Sequence, residues 1–92
     1  MNTIADMHQQ NIAGELRKIM ADTFGVDENE LPEGVSQATF ARWTSLSHMV
    51  LLVALEEQFG VSFTMAEMAS MTSLERIVEV LQIKHRSAAA IG

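Results

Sequence analysis

Ser45 is the residue of this chain whose position is best suited to chemistry. Its hydroxyl lies between Thr44 and Leu46, where a stretch rich in turn residues gives way to a long apolar run. A side chain at the start of a helix lies at the positive end of the helix dipole, where unpaired backbone N–H groups stabilise an anion. The position therefore predicts that Ser45 is exposed and serves as the attachment point of a phosphorylated prosthetic arm.

A nucleophilic role for the same serine is a weaker interpretation. His48 follows Ser45 by three residues, close to one helical turn, so the two side chains could act as nucleophile and base. The sequence has no G-x-S-x-G elbow, however, and no acidic residue is placed to orient His48. We therefore predict no catalytic residue and no enzyme activity.

Metal sites are also poorly supported. The three histidines are isolated from one another and are expected to be solvated surface residues: His8, His48 and His85. The acidic stretch 27–33 resembles a calcium loop, but Pro32 stands where an EF-hand needs Gly, and Ala38 stands at its twelfth position. We predict no bound metal ion.

Charge and composition exclude several classes of protein. The 92 residues include 12 acidic and 6 basic side chains, a net charge of −6 at pH 7, which disfavours nucleic acid and anionic lipid as partners. No Lys or Arg lies between Trp43 and Glu75, so basic protein surfaces are favoured as partners. There is no cysteine, no signal-peptide pattern and no apolar run of the ~20 residues that a membrane span needs. We expect a soluble cytoplasmic monomer that does not insert into membranes.

The apolar spacing predicts an all-α fold, a small four-helix bundle with a long loop between its first two helices and a short third helix. In the first helix apolar residues recur every three or four positions: Ile12, Leu16, Ile19, Met20 and Phe24. Gly25 suits the left-handed residue that ends this helix. Thr44 should cap the second helix, which is expected to run to Phe59 and stop at Gly60.

Two T-x-x-E pairs predict the starts of the third and fourth helices, because in such a pair each side chain can bind the backbone N–H of the other residue. These pairs are Thr64 with Glu67 and Thr72 with Glu75. The fourth helix carries one apolar face: Leu74, Ile77, Val78 and Leu81. We expect one domain over 1–92, with its core in residues 12–82 and with mobile ends at 1–10 and 85–92.

The connection from Gly25 to Trp43 is long enough to need anchors of its own. Leu31, Val35 and Phe40 are expected to pin it to the bundle. Trp43 is expected to close the core beneath the loop rather than to contact an arm or a partner, because large aromatic side chains usually bury most of their area.

The segment from Thr44 to Phe63 resembles the second helix of acyl carrier proteins. Ser45 and Leu46 match the end of that family's Asp-Ser-Leu motif, and the A-L-E-E-x-F-G run at 54–60 follows at the family's distance. The similarity covers roughly residues 12–82. It implies a 4′-phosphopantetheine arm on Ser45, taken from coenzyme A, that holds acyl intermediates as thioesters for fatty-acid, polyketide or specialised biosynthetic enzymes.

The chain departs from that family at the start of this helix. Thr44 stands where the family has Asp, which keeps a helix cap but removes a charge that, by the resemblance, helps a phosphopantetheinyl transferase recognise the site. The resemblance also implies a surface that binds acyl-loading and acyl-processing enzymes: Val50, Val53, Glu56, Glu57 and Glu67. Ser47 and Val50 occupy places that are acidic in typical members. We therefore expect a partner surface more apolar than is usual for the family.

Two interpretations of function remain open on sequence grounds. In the first, the protein is an acyl carrier, and its methionines could form an adaptable core that opens for the acyl chain: Met20, Met49, Met65, Met68 and Met71. Ordinary core filling is the favoured explanation of those methionines. In the second, the protein is a small helical adaptor that bears no prosthetic group and binds partners through the apolar and acidic face of the second helix.

Overall fold

The protein is a bundle of four helices in the order that the sequence predicts. The structure is a computed structural model that describes the backbone of residues 3–91 and the side chains of residues 12–84. The helices are α1 (Thr3–Phe24), α2 (Ser45–Phe59), α3 (Met65–Ser70) and α4 (Leu74–Ile91), with a 3-10 helix at Glu28–Glu30. The prediction of an all-α bundle with a long first loop and a short third helix is confirmed.

The core lies where α1 packs against α2 and α4. The apolar stripe of α1 is buried as predicted, with Ile19 partly buried at its edge. Helix α2 contributes Leu51, Leu52 and Leu55. Helix α4 contributes Ile77 and Leu81, together with Val80, which the predicted face did not include.

The helix ends follow the local sequence signals, with one exception. Gly25 and Gly60 both adopt left-handed backbone conformations, with φ of 69° and 64°, and they end α1 and α2 as predicted. The capping box at the start of α3 is also confirmed.

The predicted capping box between Thr72 and Glu75 is wrong. Helix α4 begins at Leu74, and Ser73 precedes it with its Oγ accepting a hydrogen bond from Arg76 N. The backbone around Thr72 is instead paired with the long loop, since Thr72 O accepts from Gln37 N. This pairing fixes where the chain turns into α4, and it places Ser73 rather than Thr72 at the cap.

The long loop is held by hydrogen bonds as well as by apolar anchors. Leu31 and Val35 are buried and Phe40 packs against the core, as predicted. The guanidinium of Arg17 in α1 donates to the carbonyl oxygens of Leu31 at 2.8 Å and of Pro32 at 3.3 Å. The loop and the start of α4 meet in an isolated antiparallel bridge between residues 36 and 73. The loop therefore delivers its last residues to α2 in a fixed position.

The predicted mobility of residues 1–10 and 85–92 stays a prediction, because the side chains of these residues lie outside the described part of the chain. In the part of the chain that the structure describes, no helix combines the length and the apolar character needed to cross a bilayer.

Candidate functional site

Ser45 is the first residue of α2, and its side chain is exposed. Thr44 caps the helix as predicted, because its Oγ1 accepts from Ser47 N at 3.1 Å. Ser47 completes a capping box with Thr44, since its Oγ accepts a hydrogen bond from Thr44 N at 2.8 Å. Two small hydroxyl side chains thus satisfy each other's backbone N–H, and Ser45 lies between them with no hydrogen bond to its Oγ from any residue that the structure describes.

The first turn of α2 can receive an anion. Within the described chain, the N–H groups of Ser45 and Leu46 have no acceptor, and the first turn contains no acidic residue. Unpaired N–H groups at a helix start, together with the helix dipole, favour negative charge there. A phosphodiester on Ser45 Oγ fits this exposed, positively polarised position.

Hydrogen bonds to α1 and α2 hold the residues before Ser45 in place. Ser47 Oγ also lies 2.8 Å from Arg42 O, to which it can donate. Arg42 in turn donates from Nη1 to Phe24 O at 3.3 Å, which pairs a cation with a carbonyl at the end of α1. The sequence did not reveal this chain of contacts, although the T-x-x-S spacing of Thr44 and Ser47 is a weak form of a capping-box signal.

Trp43 supports the site from inside the core, as predicted. Its side chain is only 2% exposed, and its ring lies 5.4 Å from the ring of Phe24. The residue adjoins Thr44, so its packing fixes the point at which the chain enters α2.

The prediction of a solvated surface position is wrong for His48. Its Nδ1 lies 3.0 Å from Trp43 Nε1 and its Nε2 lies 2.9 Å from Met68 O. Both ring nitrogens are therefore engaged with partners other than Ser45, so the geometry does not support His48 as a base for that hydroxyl. His8 and His85 lie outside the residues whose side chains are described. Among the described residues, no three His, Asp or Glu side chains are grouped so as to hold a metal ion.

An exposed apolar stripe runs down α2 from the attachment position. Leu46 is 77% exposed, and Met49, Val50 and Val53 are each 51% exposed. Their spacing of three, four and seven residues places them on one side of the helix, opposite the buried leucines. We call these four residues the α2 apolar face.

The methionines do not all belong to the core. Met49 lies on the α2 apolar face, and Met65 is 83% exposed at the start of α3. Met20 and Met71 are buried, and Met68 is partly buried against the core. The expectation of five adaptable core methionines is therefore wrong for Met49 and Met65. Met49 lies on the outer side of α2, which is apolar on both sides, and Met65 is the first residue of α3, a helix with no buried residue.

Of the three glutamates expected on the partner surface, two are occupied within the protein. Glu56 accepts from Phe63 N at 2.9 Å. Glu67 accepts from Thr64 N at 2.8 Å and pairs with Lys84 Nζ at 3.0 Å. The hydrogen bond from the Thr64 backbone, followed by the one from Lys84, lowers the pKa of Glu67 from its ordinary value of 4.5, so this carboxylate remains charged and engaged at neutral pH. Glu57 is exposed and has no partner among the described residues.

Comparison with known proteins agrees with this geometry. Residues 14–81 match a family model described as the phosphopantetheine attachment site. The chain is 30% identical over 82 residues to the acyl carrier protein of Rubrobacter xylanophilus, covering 89% of this chain and 100% of that protein. It is 28% identical over 78 residues to the acyl carrier protein of Thermosynechococcus vestitus, covering 85% and 96% of the two chains. A third similar protein, the acyl carrier protein of Buchnera aphidicola subsp. Baizongia pistaciae, is 27% identical over 73 residues, covering 79% and 94%.

Proposed function

Because the chain belongs to the acyl carrier protein family, whose members are carriers and not catalysts, we propose that Ser45 bears its 4′-phosphopantetheine arm. The proposed protein presents acyl groups to fatty-acid, polyketide or specialised biosynthetic enzymes. The observation that carries this proposal is an exposed hydroxyl on the first residue of α2, beside two N–H groups without acceptors in the described chain. When attached, the arm supplies a thiol that holds an acyl group as a thioester.

The protein's own residues are proposed to do three things for such an arm. Ser45 Oγ provides the ester oxygen, and the N–H groups of Ser45 and Leu46 stabilise the negative phosphodiester. Thr44 and Ser47 hold the helix start in shape through their reciprocal hydrogen bonds. Trp43 anchors that start to the core. A carrier needs this rigid base because partner enzymes must find the arm in a defined place.

Loading with a purified transferase tests the proposal. The full chain is incubated with coenzyme A, Mg²⁺ and a broad-specificity phosphopantetheinyl transferase, and intact mass is measured. We expect the addition of one phosphopantetheine. Thr44 lacks the charge of the family's Asp, so a negative result is repeated with Thr44→Asp and with a transferase from the source organism. If none of these combinations modifies the protein, the carrier function is rejected and an adaptor without an arm is favoured.

We further propose that partner enzymes dock on the α2 apolar face with Val50 and Val53 at its centre. These side chains are half exposed beside Ser45, whereas Glu56 and Glu67 are engaged within the protein. Glu57 is left as the proposed acidic contact of α2. Burial of apolar area should therefore contribute more to partner affinity than charge does. The proposed setting is a cytoplasmic monomer, which cell fractionation and size-exclusion chromatography would check.

Partner affinity should depend weakly on salt. Val50→Ser or Val53→Ser should each weaken binding of an acyl-processing enzyme by about 1 kcal/mol, roughly fivefold in Kd, through lost apolar burial. Glu57→Gln is the matched control and should change Kd less than about twofold, because an exposed ion pair contributes little. Isothermal titration at low and high salt checks both expectations. A steep salt dependence, with Glu57→Gln the most damaging change, would contradict the proposed apolar docking surface.

A further inference from the structure

His48 joins three separate parts of the molecule through its ring nitrogens. Trp43 Nε1 lies 3.0 Å from His48 Nδ1, and Met68 O lies 2.9 Å from His48 Nε2. An indole N–H can only donate and a carbonyl oxygen can only accept. These partners require an unprotonated Nδ1 and a protonated Nε2. The contacts therefore define one neutral tautomer of the imidazole.

The two partners of His48 lie at positions where a hydrogen bond matters. Trp43 is nearly fully buried, so its N–H needs a partner inside the protein. Met68 lies in the last turn of α3, where backbone carbonyl groups lack their usual N–H donors within the helix. Among the described residues, its oxygen otherwise accepts a long 3.3 Å bond from Met71 N. The imidazole thus links the end of the long loop, the first turn of α2 and the last turn of α3.

Helix α3 depends on such links because it is short. It has six residues and none of them is buried, and a helix of this length is not stable by itself. Its other attachments in the described chain include the packing of Met68 on the core, the ion pair between Glu67 and Lys84 and a 3.4 Å contact from Arg76 Nε to Ser70 Oγ. The contact from His48 Nε2 to Met68 O is therefore one of several links that hold the last turn of α3.

The charged groups on the neighbouring elements have other partners. Arg42 of the loop donates to Phe24 O. Glu67 of α3 and Lys84 of α4 pair with each other. Glu56 of α2 lies two turns beyond His48 and accepts from Phe63 N, and α1 presents the Phe24 ring to Trp43. Within the described residues, His48 forms no ion pair, so its protonation state acts directly on the bond from Trp43.

We propose that His48 is a pH-sensitive latch that holds the Trp43 indole through Nδ1 in its neutral form and releases it when protonated, while Nε2 continues to donate to Met68 O. An imidazolium has no acceptor nitrogen, so the bond from Trp43 exists only while Nδ1 is unprotonated. Histidine is the side chain that ordinarily changes charge between about pH 5 and 8. Acidification therefore removes the acceptor of a buried donor, and the indole must find another partner by moving. His48 is a positioning residue for the start of α2, and the latch is independent of any group on Ser45.

Nuclear magnetic resonance of the unmodified full chain tests the latch. The imidazole nitrogens of His48, the indole N–H of Trp43 and the amide exchange of α3 are followed from about pH 8 to about pH 5. At the upper end we expect an unprotonated Nδ1 and a protonated Nε2. The indole resonance should then shift as the solution is acidified, while exchange of the last α3 amides, corrected for intrinsic rates, changes less than about twofold, because Nε2 still donates to Met68 O.

Two pairs of variants complete the test. His48→Asn retains an acceptor near the Nδ1 position, and His48→Gln retains a donor near the Nε2 position. Neither side chain can titrate, so the pH-dependent shift of the Trp43 indole resonance, called the pH step below, should vanish in both variants. His8→Gln and His85→Gln should keep the pH step, which excludes the other histidines as its source. The opposite tautomer in the wild type, or a pH step that persists in His48→Asn, would overturn the latch. If the His48 variants do not fold, the tautomer of the wild type and the pH steps of the His8 and His85 variants still decide whether the latch exists. Because no arm is present, neither result bears on whether Ser45 is loaded.

Discussion

Replacement of Ser45 by Ala should abolish attachment of phosphopantetheine while leaving the fold intact. The Oγ atom of Ser45 makes no hydrogen bond within the described chain, and its side chain is exposed. Its removal therefore leaves no buried group unpaired, and stability should stay within about 0.5 kcal/mol of the wild type. Intact mass after incubation with coenzyme A and a competent transferase measures loading, and thermal unfolding measures the fold.

Ser62→Ala is the matched control for this experiment. Ser62 is also exposed and has no hydrogen bond from its side chain among the described residues, but it lies in the loop between α2 and α3. The control should be loaded as fully as the wild type. Modification that persists in Ser45→Ala, or that disappears in Ser62→Ala with the fold intact, would contradict Ser45 as the attachment position.

The largest effect on stability is expected from Trp43→Ala. The Trp43 side chain is 2% exposed, packs on Phe24 and donates to His48. Truncating a buried aromatic residue usually costs about 3–5 kcal/mol. A domain of this size has a total stability of only about 5–14 kcal/mol, so the variant should be marginally folded. Urea denaturation followed by circular dichroism measures the loss.

Trp43→Phe separates packing from the hydrogen bond. Phe keeps an aromatic ring in the core but lacks the indole N–H, so the variant should lose clearly less stability than Trp43→Ala. An unchanged melting temperature for Trp43→Ala, combined with failure to transfer cargo to a partner, would show that Trp43 acts on partners and would contradict its structural role.

The parts of the fold predicted from sequence are those set by neighbours along the chain. The α1 stripe follows from a period of three to four residues. Gly25 and Gly60 end their helices because glycine tolerates positive φ. Thr44 caps α2 because a hydroxyl at that place can accept a hydrogen bond from the backbone N–H three residues later, that of Ser47. In each case a few consecutive residues determine the outcome.

The parts not predicted depend on residues far apart in the chain. The α4 cap fell on Ser73 because the chain around Thr72 pairs with the long loop. His48 contacts Met68 O, twenty residues away in the chain, and no local sequence pattern predicts such a contact. The exposure of Met49 was not predicted, because α2 has apolar residues on both sides and such a sequence does not show which side faces inward. The exposure of Met49 on the α2 apolar face is therefore a result of the tertiary structure.

The intact mass of the native protein, purified from its own source organism and followed by peptide mapping, tests the central claim most directly. We predict a mass above that of the unmodified chain by one phosphopantetheine, with or without an acyl group, located on the peptide that contains Ser45. A native preparation that consists only of the unmodified chain, or that bears the group on another residue, would contradict the assignment of Ser45 as the point of attachment.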